Sequence, residues 1–233
     1  MKIERIRLFH FPATRSARVL WAAYEVEGCG VEIENVDLYR GAQHAPEYLA
    51  RNPNHNVPTM EISWDDGSVQ TMIESVAMVV FLADAFPSAK LAPTPGPTKE
   101  RADYLQMLHF CGTQMDMMLW QVRVHEHLLP TTERDSRTVE RYRAKLKSEA
   151  EPQLAVRLKR HPYICGDEFS AADCLAGHNV TWARGYGLCQ DEVFKEYLSR
   201  IAKRPAFVKA FADARTFQLE PAAVRDRPTR FNG

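Results

Sequence analysis

Asn52-Pro53-Asn54-His55-Asn56-Val57-Pro58-Thr59-Met60, followed at short range by Ile73-Glu74-Ser75-Val76-Ala77, decides how this chain folds: a loop closed by a proline, an apolar strand, then an acid and a hydroxyl opening a helix. Proline cannot donate to a ladder and is confined to edges, first positions and bulges of a sheet. Pro58 therefore ends a loop, and the N–H and C=O of Val57 are left to pair with something outside the sheet. An X-Pro bond at such a place is open to the cis form. Glu74 and Ser75 stand where a helix begins, beside unsatisfied N–H groups and the positive end of the dipole. That end suits a carboxylate and Glu74 suits an ammonium, so the pattern fits a polar ligand with an α-amino acid end.

On either side of this stretch the elements of a small mixed sheet can be read. Ile6-Arg7-Leu8-Phe9-His10 is a short apolar strand, and Val19, Leu20, Ala23 and Val26 recur at helical spacing until Gly28 and Gly30 stop them. Val31, Ile33 and Val36 suggest a second strand, and Pro46 to Ala50 a short helix. Val57 to Ile62 and Ser68 to Met72 flank Asp65-Asp66-Gly67, a hairpin turn signal, and Ser75 to Ala85 is a helix. Pro87, Pro93, Pro95, Gly96 and Pro97 crowd into one linker. Beyond it nothing reads as a strand. Helices are expected over Thr98 to Leu129, Glu133 to Lys159 and Ser170 to about Tyr186, with a last one opened by Pro205 and an irregular tail after Gln218. The expectation is an α/β plus all-α chain, with residues 1–86 and 98–233 as two domains joined by 87–97.

The 233 residues suffice for a sizeable core, and their hydrophobic and charged shares of 45% and 26% are ordinary globular values. Lys+Arg and Asp+Glu balance at 30 each, without the basic excess of an electrostatic nucleic-acid binder. No apolar run has the length of a membrane span, and the start Met1-Lys2-Ile3-Glu4-Arg5 lacks a signal-peptide core. Five irregularly spaced cysteines read as reduced thiols, so a cytoplasmic protein is expected.

With these motifs in this order, from Leu8 to about Phe211, the chain resembles the cytosolic glutathione S-transferases, in particular bacterial and fungal members with a serine- or threonine-like site. The resemblance implies a thioredoxin-like domain of four strands followed by an all-helical domain lining the electrophile site. It implies glutathione as co-substrate, a small electrophile as second substrate, a homodimer, and no metal. Val57, before the proline Pro58, would pair with the cysteinyl part of glutathione, while Glu74 and Ser75 would hold its γ-glutamyl end. Family members commonly have glycine at the position of His55; Asn56 would hydrogen-bond the glycyl carboxylate without supplying charge.

The loop Phe11-Pro12-Ala13-Thr14-Arg15-Ser16 would bring a hydroxyl to the glutathione sulfur. A free thiol has a pKa of about 8.5, and lowering it by about two units takes roughly 2.7 kcal/mol. A charge-assisted hydrogen bond supplies roughly 1.5–3 kcal/mol and a helix N-terminus up to about 1 more, so a hydroxyl at a helix start suffices. Alignment with the family puts its usual serine at Ala13, which cannot serve, and leaves Thr14, Ser16 or a backbone N–H. Thr14 is equally suited to be the helix N-cap. A non-catalytic glutathione or ligand binder, a translation-factor-like module, and a glutathione-dependent isomerase or peroxidase of the same fold remain alternatives. The first loop lacks both Cys-x-x-Cys and Ser-Ser-Cys, against a thioredoxin-type redox enzyme and a zeta-class isomerase.

Three further patterns have plainer readings. Ser170-Ala171-Ala172-Asp173 has the form of a capping box, with Cys174 as a small hydrophobe beside it. His125-Glu126-His127 does not put two ligands on one helix face, because neighbours at i and i+2 diverge. Met107, Met115, Met117, Met118, Phe110 and Trp120 suit core and interdomain packing; in the family this helix also lines the electrophile pocket, where Arg123 and Tyr104 would be candidates.

Overall fold

The computed structural model describes residues 1–218; the irregular tail expected after Gln218 lies outside them. Strands β1 (Ile3–His10), β2 (Glu32–Asn35), β3 (Thr59–Trp64) and β4 (Val69–Met72) form one sheet in the order β2-β1-β3-β4. β2 runs parallel to β1, while β1–β3 and β3–β4 are antiparallel. Helices α1 (Ser16–Glu25), α2 (Pro46–Leu49) and α3 (Ser75–Ala85) complete a thioredoxin-like unit. β3 begins two residues later than expected, at Thr59, because Pro58 has no N–H to give the ladder. The hairpin closes where Gly67, at φ +81°, donates to the Trp64 carbonyl at 3.0 Å. Phe9 lies opposite Thr59 and Met60 opposite Met72. The exits of β1 and β4 and the entry of β3 therefore meet at one end of the sheet.

The helical region follows. α4 (Lys99–His109) and α5 (Asp116–Arg123) make one rod through a π-helical stretch, Phe110–Met115, and a second such stretch, Val124–Leu128, carries it towards Pro130. α6 (Ser136–Lys145) and α7 (Glu151–Arg160) are joined the same way through Leu146–Ala150. In the first π stretch Gly112 lies against Val76 of α3, where any Cβ would collide. Then come α8 (Ala171–Gly185), α9 (Glu192–Ile201), α10 (Pro205–Ala210) and α11 (Ala212–Thr216). α10 starts at Pro205 as expected but is not the last described helix, and α9 had no counterpart in the sequence reading. Its buried residues Phe194, Tyr197 and Ile201 do carry the helical interval.

One core runs through both regions because α1 belongs to both. Trp21 is fully buried against Phe169, Phe207 and Phe211, with ring centroids 5.5, 4.9 and 6.0 Å away. Its indole N–H donates to Glu25 at 2.8 Å, and Glu25 accepts two bonds from Arg204 at 2.7 Å each. Gly177 of α8 gives Trp21 and Ile201 their room; a Cβ there would stand 2.5 Å from the Ile201 side chain.

The capping box at α8 is present, and its acid reaches further than the cap. Asp173 accepts from the Ser170 N–H at 3.0 Å, the Ile164 N–H at 2.9 Å and the Tyr197 hydroxyl at 2.9 Å. Burial pushes its carboxyl up to about 6 against these bonds. The folded value thus exceeds the unfolded one, so stability from this group falls as pH rises between about 4 and 6. Asp173→Ala leaves those three donors without their acceptor and should lower unfolding free energy by about 2 kcal/mol. Urea denaturation at neutral pH checks this.

Candidate active site

The loop before β3 is held from beneath. The Val57–Pro58 bond is cis, and Val57 itself lies outside the ladder, buried in a cluster with Phe9, Phe11, Val36 and Tyr48. Buried Asn52 donates to the Asn56 carbonyl, the Asn56 side-chain oxygen and the Thr59 hydroxyl at 3.0, 3.0 and 2.9 Å. Tyr48 adds a bond of 2.6 Å to the same carbonyl. Because the Asn56 oxygen is engaged by Asn52, its exposed amide NH₂ is left as the donor for a ligand. His55 takes φ +44°, the left-handed region that glycine favours and histidine tolerates better than most. The departure from glycine therefore keeps the left-handed backbone, with the His55 ring 4.9 Å from that of His44.

Across the sheet end, Glu74 is the N-cap of α3 at φ +75°, ψ +107°. That conformation is unfavourable for a residue with a side chain, and such outliers gather at functional sites. The carboxylate is exposed and, among the described residues, has no ion-pair partner. Ser75 beside it is buried, and the first N–H groups of α3 face the same end. Ala13 at φ +56°, His55 and Glu74 are three of the five non-glycine residues with positive φ among the described residues, and all three lie where β1, β3 and β4 meet.

The loop leaving β1 carries the hydroxyls. Thr14 is half-buried, whereas Ser16 is 0% exposed, so Thr14 is the outer of the two. Their oxygens are 2.7 Å apart, and the Thr14 hydroxyl also lies 2.7 Å from the Phe11 carbonyl. The α1 N-cap is Arg15 rather than Thr14, although Thr14 Oγ1 accepts a long bond of 3.3 Å from the Ser16 N–H. Ser16 Oγ reaches the Nδ1 of His10, 3% exposed, at 2.7 Å, and the far ring nitrogen meets Asp213 of α11 at 2.6 Å.

Facing this loop is the helical wall. Arg15 lies over Trp120 and Trp182, at 4.5 and 5.2 Å from their centroids, and bonds Asp116 through Nε at 2.7 Å. Arg18, 1% exposed, donates to Asp116 at 2.6 Å, Asn179 at 3.0 Å and His178 at 2.9 Å. Burial and then Arg18 push His178 down to about 3, so it stays neutral and accepts. Met107, Met115 and Met118 are buried, while Met117 and Trp120 are partly exposed. Tyr104 is fully buried and its hydroxyl meets no partner among the described residues, so it does not stand on an open wall. His125 accepts from the Asp135 N–H at the start of α6 and Glu126 pairs with Arg143 in its last turn, so this stretch braces α6 at both ends. Burial raises the pKa of all five cysteines, which suits packing rather than nucleophilic chemistry.

Residues 4–84 match the family model described as Glutathione S-transferase, N-terminal domain. The disulfide-bond oxidoreductase YfcG of Escherichia coli (strain K12) is 28% identical over 216 residues, 90% of this chain and 95% of that protein. Glutathione S-transferase 3 of Zea mays is 28% identical across 89% of this chain and 93% of its own. A glutathione transferase from Burkholderia graminis, solved with two glutathione molecules bound per subunit, superposes with a TM-score of 0.78 at 25% identity, covering 91% of this chain and 88% of that one. The first region thus matches the family's N-terminal domain, and nearly the whole chain is similar to glutathione S-transferases in sequence and in fold.

Of the residues singled out from the sequence, Val57, Pro58, Asn56, Glu74, Ser75, Thr14 and Ser16 all fall at the shared strand end or in the loop leaving it. His10, Tyr48, Asn52 and Asp213 were not singled out. Tyr48 and Asn52 carry a retrospective signal, since a buried amide and phenol beside a proline loop are the natural partners of its free carbonyls. His10 and Asp213 carry none, being 203 residues apart.

Proposed function

We propose that this protein binds glutathione at the shared end of β1, β3 and β4, holds it as thiolate, and directs it at a small hydrophobic electrophile. The Val57 backbone pairs with the cysteinyl unit, Asn56 donates to the glycyl carboxylate, and Glu74 and Ser75 with the α3 N-terminus take the γ-glutamyl end. Thr14 donates to the sulfur. In this reading residues 1–86 carry glutathione, 98–233 form the electrophile wall beyond the 87–97 linker, and the protein works as a cytoplasmic homodimer. The single observation that supports it most is Glu74: a carboxylate with no ion-pair partner among the described residues, held in a disfavoured backbone at a helix N-terminus beside the cis-proline loop. Among the described residues no helix is long and apolar enough to cross a membrane.

Calorimetric titration with glutathione, followed by a conjugation assay with an aromatic halide, tests binding and turnover separately. Binding without turnover would favour a ligand carrier. The likeness to a disulfide-bond oxidoreductase favours one second reading, glutathione-dependent disulfide reduction. The first loop has no cysteine, so any exchange would use the thiol of glutathione itself. A mixed-disulfide substrate distinguishes it from conjugation. In either case Thr14→Val keeps the shape and deletes the donor. The bound thiol's pKa should rise by about one to two units, with glutathione affinity nearly unchanged.

A further inference from the structure

Resting on the glutathione reading above, we propose that the thiol proton is not shed to solvent but passes through Thr14 and Ser16 to His10, where Asp213 holds it. Thr14 Oγ1 to Ser16 Oγ is 2.7 Å, Ser16 Oγ to His10 Nδ1 is 2.7 Å, and His10 Nε2 to Asp213 Oδ2 is 2.6 Å. A carboxylate only accepts, so Nε2 carries the hydrogen towards Asp213 and Nδ1 offers its lone pair to the Ser16 hydroxyl. Ser16 has no competing role outside the protein, because it is fully buried. The Thr14 proton has two acceptors at equal distance, Ser16 and the Phe11 carbonyl, so it can turn into the chain without losing a bond.

The step balances. The S–H bond of glutathione breaks and its proton goes to Thr14 Oγ1; the Thr14 proton moves to Ser16 Oγ, and the Ser16 proton to Nδ1. No electron changes hands. Afterwards imidazolium donates to Ser16, Ser16 to Thr14, and Thr14 to the thiolate, so every donor in the row points at the new negative charge. Asp213 is the group placed to receive the cation. Among the described residues its Oδ1 is buried without a hydrogen-bond partner, and its Oδ2 meets the His10 ring at 2.6 Å. A lone buried carboxylate oxygen is costly, and a cation beside it offsets that cost. Tyr24 of α1 feels the same carboxylate: burial first, then Asp213, pushes its phenol up, so it stays neutral. On the sheet side the residue opposite His10 in β2 is the uncharged Asn35. His10, Ser16 and Asp213 act here as positioning residues behind the Thr14 hydroxyl. The C-terminal part of the chain thereby completes a site otherwise built from the first domain.

Mixing the protein with glutathione in weakly buffered solution at neutral pH, with a pH indicator and the ultraviolet thiolate band followed together, tests this. The expected result is thiolate formation with almost no proton released. His10→Gln keeps both hydrogen-bonding directions but cannot store the proton, and each thiolate it forms should release one. If that variant misfolds, Asp213→Asn on the more exposed α11 should lower the ratio of bound thiolate to bound thiol about tenfold, the effect of a thiol pKa raised by about one unit, with Asp213→Glu restoring part of it. A full proton released per thiolate by the wild-type protein, or an Asp213→Asn complex identical to wild type, overturns the relay alone. Glutathione that binds without a thiolate band, or does not bind, overturns the relay together with the proposed function.

Discussion

Glu74→Ala should weaken glutathione binding by a few hundredfold. In the proposed complex the carboxylate meets the α-ammonium of the γ-glutamyl unit, and removing one partner of a desolvated, hydrogen-bonded charge pair costs about 3–4 kcal/mol. Glu74 has no ion-pair partner among the described residues, so its charge is not already committed within the fold. Its φ of +75° is equally unfavourable for alanine, so the substitution should alter thermal stability little. Calorimetric titration reads the affinity directly. Unchanged affinity with an intact fold would remove the basis for assigning Glu74, and Ser75→Ala should show a smaller loss of the same kind.

The largest expected effect on stability lies between α1 and α5. Asp116 is buried and takes hydrogen bonds from both Arg15 and Arg18. Asp116→Ala would leave the guanidinium of Arg18 buried without its counter-charge, at a cost of about 3–5 kcal/mol in urea unfolding. Replacing the pair together, Arg18→Met with Asp116→Leu, should recover much of that loss, because an apolar pair of similar size has no desolvation penalty. Burial raises the Asp116 carboxyl, but the charges of Arg18 and Arg15 outweigh it and hold the group below the ordinary carboxylate value. The folded value is then below the unfolded one. Its contribution is complete above the ordinary carboxylate range and is lost as pH falls through the folded value. Single variants should accordingly show a shallower acid limb than the wild-type protein. An Asp116→Ala protein as stable as wild type would mean that the packing of α1 on α5 does not depend on this pair.

The parts of the fold and site legible in the sequence are those written in local chemistry. Pro58 announces the end of a loop because it lacks an N–H, Asp65-Asp66-Gly67 announces a hairpin, and Glu74-Ser75 announces a helix start. The capping box at Ser170 and Asp173 is legible for the same reason. Contacts between distant residues are not. Nothing about His10 at the end of a strand, or Asp213 in a polar helix, indicates that they meet. Arg18 sits on α1 like any solvated arginine, and only the approach of Asp116 makes it a buried bridge. The π stretches are hidden because each adds one residue to a turn without interrupting the apolar spacing around it. β2 is a subtler case: Val31, Ile33 and Val36 suggested alternation, yet all four residues of the strand, Ile33 included, are exposed at the sheet edge. The difference in burial between Thr14 and Ser16 is likewise visible only in three dimensions.

The most direct test of glutathione activation at this site is ultraviolet titration of the thiolate in the wild-type complex with glutathione. The expected midpoint lies about two units below the free thiol value of about 8.5, with the thiolate band already present at neutral pH. A saturated complex whose thiol titrates at the free value would contradict it, leaving a protein that binds glutathione without activating it.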